Sequence, residues 1–337
     1  MIIDVHTHFI PEIYIELTGK DPEAARATSM RNEHGQLFIK PTKNCPLPLG
    51  YGPYERAMYD VKAKLAGMDR TAVDVGVISA PSNMFFYALD AAKGLQLARM
   101  WNDGVAQICS AHPSRFVGLA TVPLQAPDVA IAEMERAMSE HGFKGVEIGT
   151  SINGRDLDAP EVFEFFKRAQ ELGALVMVHP STCAICDGRA DKYYFQNVMG
   201  YMLESALALG SLIFGGVLER LPNLKLYSTH GGGFMPYQIG RLDHVREVRK
   251  ECANLVPREP TEYLRRVHFD SITHSALALS YLISLVGVER ILLGTDDPMD
   301  MGEHEPVRFI DSLPGLSKTD RAAILGGNAA RLLNITV

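Results

Sequence analysis

The sequence predicts a single (β/α)8 barrel of the TIM type over residues 1–337, with insertions after its first and fifth strands. Three observations lead to this fold. Strand-length apolar runs alternate with helical segments from one end of the chain to the other, the pattern of repeated β-α units. Those runs are apolar almost throughout instead of alternating with polar residues, as in parallel sheets covered on both faces. Their number is eight, which closes a barrel. A doubly wound open sheet is the second choice, and the Gly-rich phosphate turn it usually carries after strand one is missing.

The first strand is Ile2, Ile3 and Val5, running into Asp4-Val5-His6-Thr7-His8 and stopped by Pro11. Residues from about Glu12 to Gly52 are rich in Pro, Gly, Asn and Lys and read as an irregular insertion near a functional face. A helix with Met58, Val61, Leu65 and Met68 on one side leads into the second strand, 73–79. A helix over 95–111 precedes the third strand, 115–122. The amphipathic helix 126–141, with Ile131, Met134 and Met138 on one stripe, precedes the fourth, 145–149. Helix 160–172 leads to the fifth strand, 174–180. A second irregular insertion and a helical region over about 196–220 separate it from the sixth, 224–230. The seventh is 267–272, the eighth 290–296, and a helix over about 318–333 closes the chain.

Composition narrows the functional classes. With 47% hydrophobic and 22% charged residues and a net charge of −7, the chain has ordinary globular composition. Its mild acidity offers no general attraction for nucleic acid or anionic lipid. A strand starting at residue 2 and the lack of a membrane-length apolar run lead us to expect a cytoplasmic protein. Five cysteines do not suggest a disulfide framework. Cys183 and Cys186 form a lone CxxC, which reads as ordinary thiols.

The chemistry collects at the strand ends. Strand residues i and i+2 share a face, so His6 and His8 project side by side. An isolated HxH is more often structural than functional. Here, however, His179 ends the fifth strand, His230 the sixth and Asp296 the eighth. Imidazole nitrogens with a carboxylate at one rim suit a divalent ion that keeps a position open. His6, His8, His179 and Asp296 are the expected ligands. His230, followed by Gly231-Gly232-Gly233, is expected to act as general acid/base, with fourth-imidazole ligation as the other option. Asp297 should face away from the site by strand alternation. The fourth strand ends Ile148-Gly149-Thr150, and Glu147 is two residues back from Gly149, so one ion is expected rather than two. His274, Phe85 and Lys40 are candidate substrate contacts, each weighed against packing or solvent exposure.

These residues lie in motifs that resemble the amidohydrolase-superfamily decarboxylases, most closely the α-amino-β-carboxymuconate-ε-semialdehyde decarboxylase family. The motifs are DVHTHFIPE, RFVGLATVPLQAPDVAIAEMERA, GVEIGT, VHP, HGGGFMPYQIGRLDH and LLGTDDP, in order along nearly the whole chain. The resemblance implies Zn2+ (Mn2+ being the alternative) on His6, His8, His179 and Asp296, with acid/base work at His230. It also implies a homodimer in which Arg241 reaches a neighbouring site to meet a substrate carboxylate. The sequence departs from the family where a substrate-binding arginine is expected after Phe38: Ile39 stands there, with Lys40 next. Ser181-Thr182 replaces the family's Trp-Asp. The expected activity is non-oxidative decarboxylation of an unsaturated or aromatic small-molecule carboxylate, with His230 and Asp296 catalytic. A hydrolase or hydratase on the same site is the alternative, and a non-catalytic metal-binding barrel a remoter one.

Overall fold

The computed structural model describes residues 1–41, 51–181 and 188–335. The CxxC of Cys183 and Cys186 and the family departure at Thr182 lie outside them.

The barrel strands are Ile3–His8, Val75–Ser79, Phe116–Gly118 continuing as Ala120–Thr121, Gly145–Gly149, Leu175–His179, Lys225–Ser228, His268–Asp270 and Ile291–Leu292. Each pairs in parallel with the next. The amide of Val5 donates to Leu293 O and that of Asp296 to His6 O, so the eighth strand also meets the first. This is the strand order of a (β/α)8 barrel.

Which side chains point inward is decided by parity along each strand. Val75, Val77, Leu119, Leu175, Met177, Tyr227 and Leu292 form one buried cluster, together with Ala329, Leu332 and Leu333 of the C-terminal helix. His179 continues the Leu175–Met177 face, so the rim stands on an apolar floor. The first strand enters this cluster through the odd residues Ile3 and Val5, yet its histidines are even. A register shift between Asp4 and Thr7 resolves the mismatch: an extra residue in the first strand exchanges faces there. Outside the barrel, Ile78, Val146, Ile148, Val176, Val178 and Leu226 pack on the surrounding helices. Those helices begin at caps the sequence supplies, such as Asp60 accepting from the amides of Lys62 and Ala63.

The first insertion is ordered where described, not irregular. Helix Glu12–Lys20 buries Tyr14 and Thr18. Ala27–Arg31, Leu37–Pro41 and Tyr51–Tyr54 form a three-stranded antiparallel sheet. The strands are short and gain stability by setting Ala27, Leu37, Ile39 and Tyr54 into the main core, a contact that local patterning does not reveal. A second correction concerns apolar length. The helical run Gln196–Phe214 is long and apolar enough to cross a membrane. Its Ala208, Leu209, Leu212 and Ile213 are instead buried in the core.

Candidate metal centre

His6, His8, His179, His230 and Asp296 meet at the C-terminal rim. The Nε2 atoms of His6 and His8 are 3.2 Å apart. Asp296 Oδ1 is 3.2 Å from His8 Nε2 and 3.5 Å from His6 Nε2. Asp296 Oδ2 is 3.5 Å from His230 Nε2. The ring of His179 lies 5.1 Å from those of His6 and His230 and 5.2 Å from that of His8. Ligand atoms of His6, His179, His230 and Asp296 all fall within 4.8 Å of one another.

The imidazoles of His6, His8 and His179 are each oriented from behind. His6 Nδ1 is 2.9 Å from Asp270 Oδ2, His8 Nδ1 is 3.3 Å from Ser79 Oγ, and His179 Nδ1 is 2.6 Å from Pro180 O. With the Nδ1 atoms engaged, three Nε2 atoms face one point. His179 Nε2 and Asp296 Oδ1 are buried without a hydrogen-bond partner. Buried polar atoms are seldom left so, and a divalent ion would satisfy both. The residues present therefore fit a metal: imidazole and carboxylate donors, oriented by hydrogen bonds, around a common point.

Sequence reasoning missed Asp270, which organises this arrangement. Fully buried on the seventh strand, it accepts hydrogen bonds from Tyr227 Oη at 2.8 Å and from the amides of His230 at 3.0 Å and Gly231 at 2.9 Å, besides facing His6. The available signal was a carboxylate inside an apolar strand, which must have a partner if buried. His230 and Asp296 both sit at left-handed backbone, φ 53° and 60°. Such conformations persist in ordinary residues only when the surroundings impose them. Here Asp270 holds the amide of His230 and His6 O that of Asp296. Gly233, at φ 61°, has Met202 O 2.3 Å from where a Cβ would stand, so the glycine run admits backbone.

Charge follows the same geometry. Burial opposes protonation of His6, but Asp296 and Asp270 outweigh it and raise its pKa to about 9. Burial lowers His8, and holds His179 well below the usual imidazole range with help from the His230 and His6 charges. Burial would raise Asp296, yet His6 and the contacts from His230 and His8 keep it well below the usual carboxylate range. Glu147 is closer than its sequence position suggested. Its carboxylate lies within 4.8 Å of His8 and His179 donor atoms, because residue 147 shares the inward face with Met177 in register. Neither of its oxygens has a hydrogen bond of ordinary geometry, and burial pushes its pKa well up.

The substrate candidates are less concentrated. A cavity of about 820 Å3 opens on His8, His179, His230 and Asp296 and is also lined by Asn83, Asn197 and Tyr201. His274 lines a second, more apolar cavity of about 590 Å3 that shares His230, Asp296, Asn197 and Tyr201 with the first. Lys40, Phe85 and Arg241 line neither cavity. Phe85 is buried against Tyr87, ring centroids 5.6 Å apart, because its turn folds back into the core. Lys40 is exposed, its Nζ 5.9 Å from the Phe38 ring centroid. Arg241 is exposed on helix Met235–Val248. Asp297 gives its carboxylate to Lys64 at 2.7 Å and so turns from the metal ligands.

The amidohydrolase family model matches residues 3–335. The chain belongs to the amidohydrolase family. Among curated amidohydrolase relatives it is 35% identical to 2-amino-3-carboxymuconate-6-semialdehyde decarboxylase of Dictyostelium discoideum, over 99% of this chain and 91% of that one. It is 26% identical to the gamma-resorcylate decarboxylase of a Rhizobium species, over 82% of this chain and 87% of that one. The crystal structure of 5-carboxyvanillate decarboxylase from Sphingomonas paucimobilis superposes with a TM-score of 0.84 at 26% identity, covering 100% and 99% of the two chains.

Proposed function

We propose that this amidohydrolase is a carboxy-lyase that removes CO2 non-oxidatively from an aromatic or unsaturated carboxylic acid. The observation that carries the reading is the fourth imidazole. His230 stands beside a four-ligand set, 3.5 Å from Asp296, on the wall of the cavity that opens there. The relatives' decarboxylase activities support the same chemistry. His6, His8, His179 and Asp296 would hold one divalent ion, Zn2+ with Mn2+ as the alternative. Once bound, the ion supplies a Lewis acid that orients the substrate's oxygens and offsets negative charge.

The protein's own residues do the rest. His230 Nε2 holds a proton at the cavity wall and delivers it to the carbon bearing the carboxylate, with Asp296 Oδ2 as its neighbour. One C–H bond forms, the C–C bond to the carboxylate breaks, and its electron pair remains with the ring or chain as CO2 leaves. His274 contacts the substrate from the second cavity. Arg241, exposed on its helix, serves a neighbouring chain in a homodimer, and the compartment is the cytoplasm.

The test incubates metal-loaded protein with carboxylated phenols, muconate semialdehydes and lactones. CO2 release without water incorporation is expected. Lactone opening or water addition with no CO2 would refute decarboxylation and leave a hydrolase or hydratase. His230→Asn should retain metal and lose turnover by a factor of about 100 or more, the usual weight of a general acid. Loss of metal instead would make His230 a ligand.

A further inference from the structure

Each strand of the barrel from the first to the eighth pairs with the next through a ladder of backbone bonds. Between the first and the eighth, the described pairing is the single parallel bridge Thr7–Asp297 with three backbone amide bonds, and the Asp4 carboxylate accepts from the amide and hydroxyl of Thr295. The candidate ligands straddle this join: His6 and His8 flank Thr7 on one side, and Asp296 precedes Asp297 on the other. Whatever fixes the join fixes the separation of the ligands.

Lys64 crosses it from behind. It sits on helix Val61–Arg70 and is fully buried, an expensive place for an ammonium group unless all its hydrogens are used. They are. Nζ donates to Thr7 Oγ1 at 2.7 Å, to Asp297 Oδ2 at 2.7 Å and to Asp297 O at 3.0 Å. The Thr7 hydroxyl in turn donates to Asp297 O at 2.9 Å, where the His8 amide also donates at 2.9 Å. Thr7 faces away from the site because strand alternation puts it opposite His6 and His8. Its hydroxyl can therefore meet the surrounding helix while its neighbours meet the ion.

We propose that Lys64, acting through Thr7 and Asp297, is a positioning residue of the metal centre that locks the His6/His8 pair against Asp296. This rests on the ligand assignment above and not on the reaction assigned to it. A residue that orients ligands in this way governs affinity for the ion, and removing such a residue typically costs roughly 10–100-fold.

The decisive variants are Thr7→Val, which keeps the shape and loses the hydroxyl, Thr7→Ser, which keeps the hydroxyl, and Lys64→Met. Zn2+ and Mn2+ affinities are measured by chelator competition on metal-free protein, with Mn2+ paramagnetic resonance reporting coordination and thermal melting of the metal-free form reporting the fold. The expected result is a roughly 10–100-fold loss of affinity in T7V and K64M, with an altered Mn2+ spectrum and T7S close to the parent. Wild-type affinity in folded T7V and K64M would overturn the proposal, as would T7S falling as far as T7V. Should K64M fail to fold, the T7V and T7S pair decides alone. A parent protein that binds neither ion would instead refute the ligand assignment.

Discussion

Binding of the ion should be controlled by a single histidine proton. In the metal-free protein His6 is an imidazolium to about pH 9, donating Nδ1–H to Asp270 and facing Asp296 with its other nitrogen. His8 and His179 are shifted the other way and are neutral at pH 7. An ion must displace the His6 proton, so apparent affinity rises about tenfold per pH unit through neutrality. With His6 at about 9, affinity at pH 7 lies about 100-fold below its alkaline plateau. The same group affects folding. Its folded pKa is raised above the usual 6.5, so its stabilisation is complete below pH 6.5 and is lost as pH passes through about 9. That difference is worth about 3 kcal/mol to the metal-free protein. The assay is calorimetric titration with Zn2+ in buffers of different ionisation enthalpy, which counts protons released. It should be run in Glu147→Gln as well, because burial pushes the Glu147 carboxyl, close to His8 and His179, well above its usual range. About one proton is expected from the E147Q protein, with affinity levelling off above about pH 9. Release near zero, or affinity flat across that range, would refute the assignment of the proton to His6.

Three further outcomes follow from the same contacts. Asp270→Asn should lower metal affinity roughly 10–100-fold in chelator competition, since His6 loses its orienting carboxylate and His230 and Gly231 their charged acceptor. Unchanged affinity would make Asp270 a packing residue. Glu147→Gln should raise the melting temperature of the metal-free protein. The advantage should be absent near pH 4.5 and grow above it, because the native fold resists ionising a carboxyl that the unfolded chain ionises freely. A difference independent of pH would count against it. Gly233→Ala should destabilise by at least about 1–3 kcal/mol in denaturant unfolding, from the left-handed backbone and the 2.3 Å approach of Met202 O.

The recurring β-α rhythm, the inward His6 and His8, the strand-end histidines and Asp296 were legible because each follows from local periodicity. Hydrophobic runs report burial, and parity reports which side chains share a face. Even there the reason was incomplete: the inward face of the first strand changes at the Asp4–Thr7 register shift, which no pattern announced. The three-stranded sheet after helix Glu12–Lys20 was hidden because its strands are held by distant packing. Gln196–Phe214 shows the converse, since apolar length cannot say whether lipid or a protein core will cover it.

By itself, then, the sequence determined the barrel and the five side chains at its rim, because both depend on neighbours along the chain. Only the tertiary structure decided how those side chains are held. Asp270 is 264 residues from His6, and Lys64 lies 233 residues from Asp297. A buried carboxylate or ammonium is stable only where folding brings its partners, and their identity is written in three dimensions rather than in spacing.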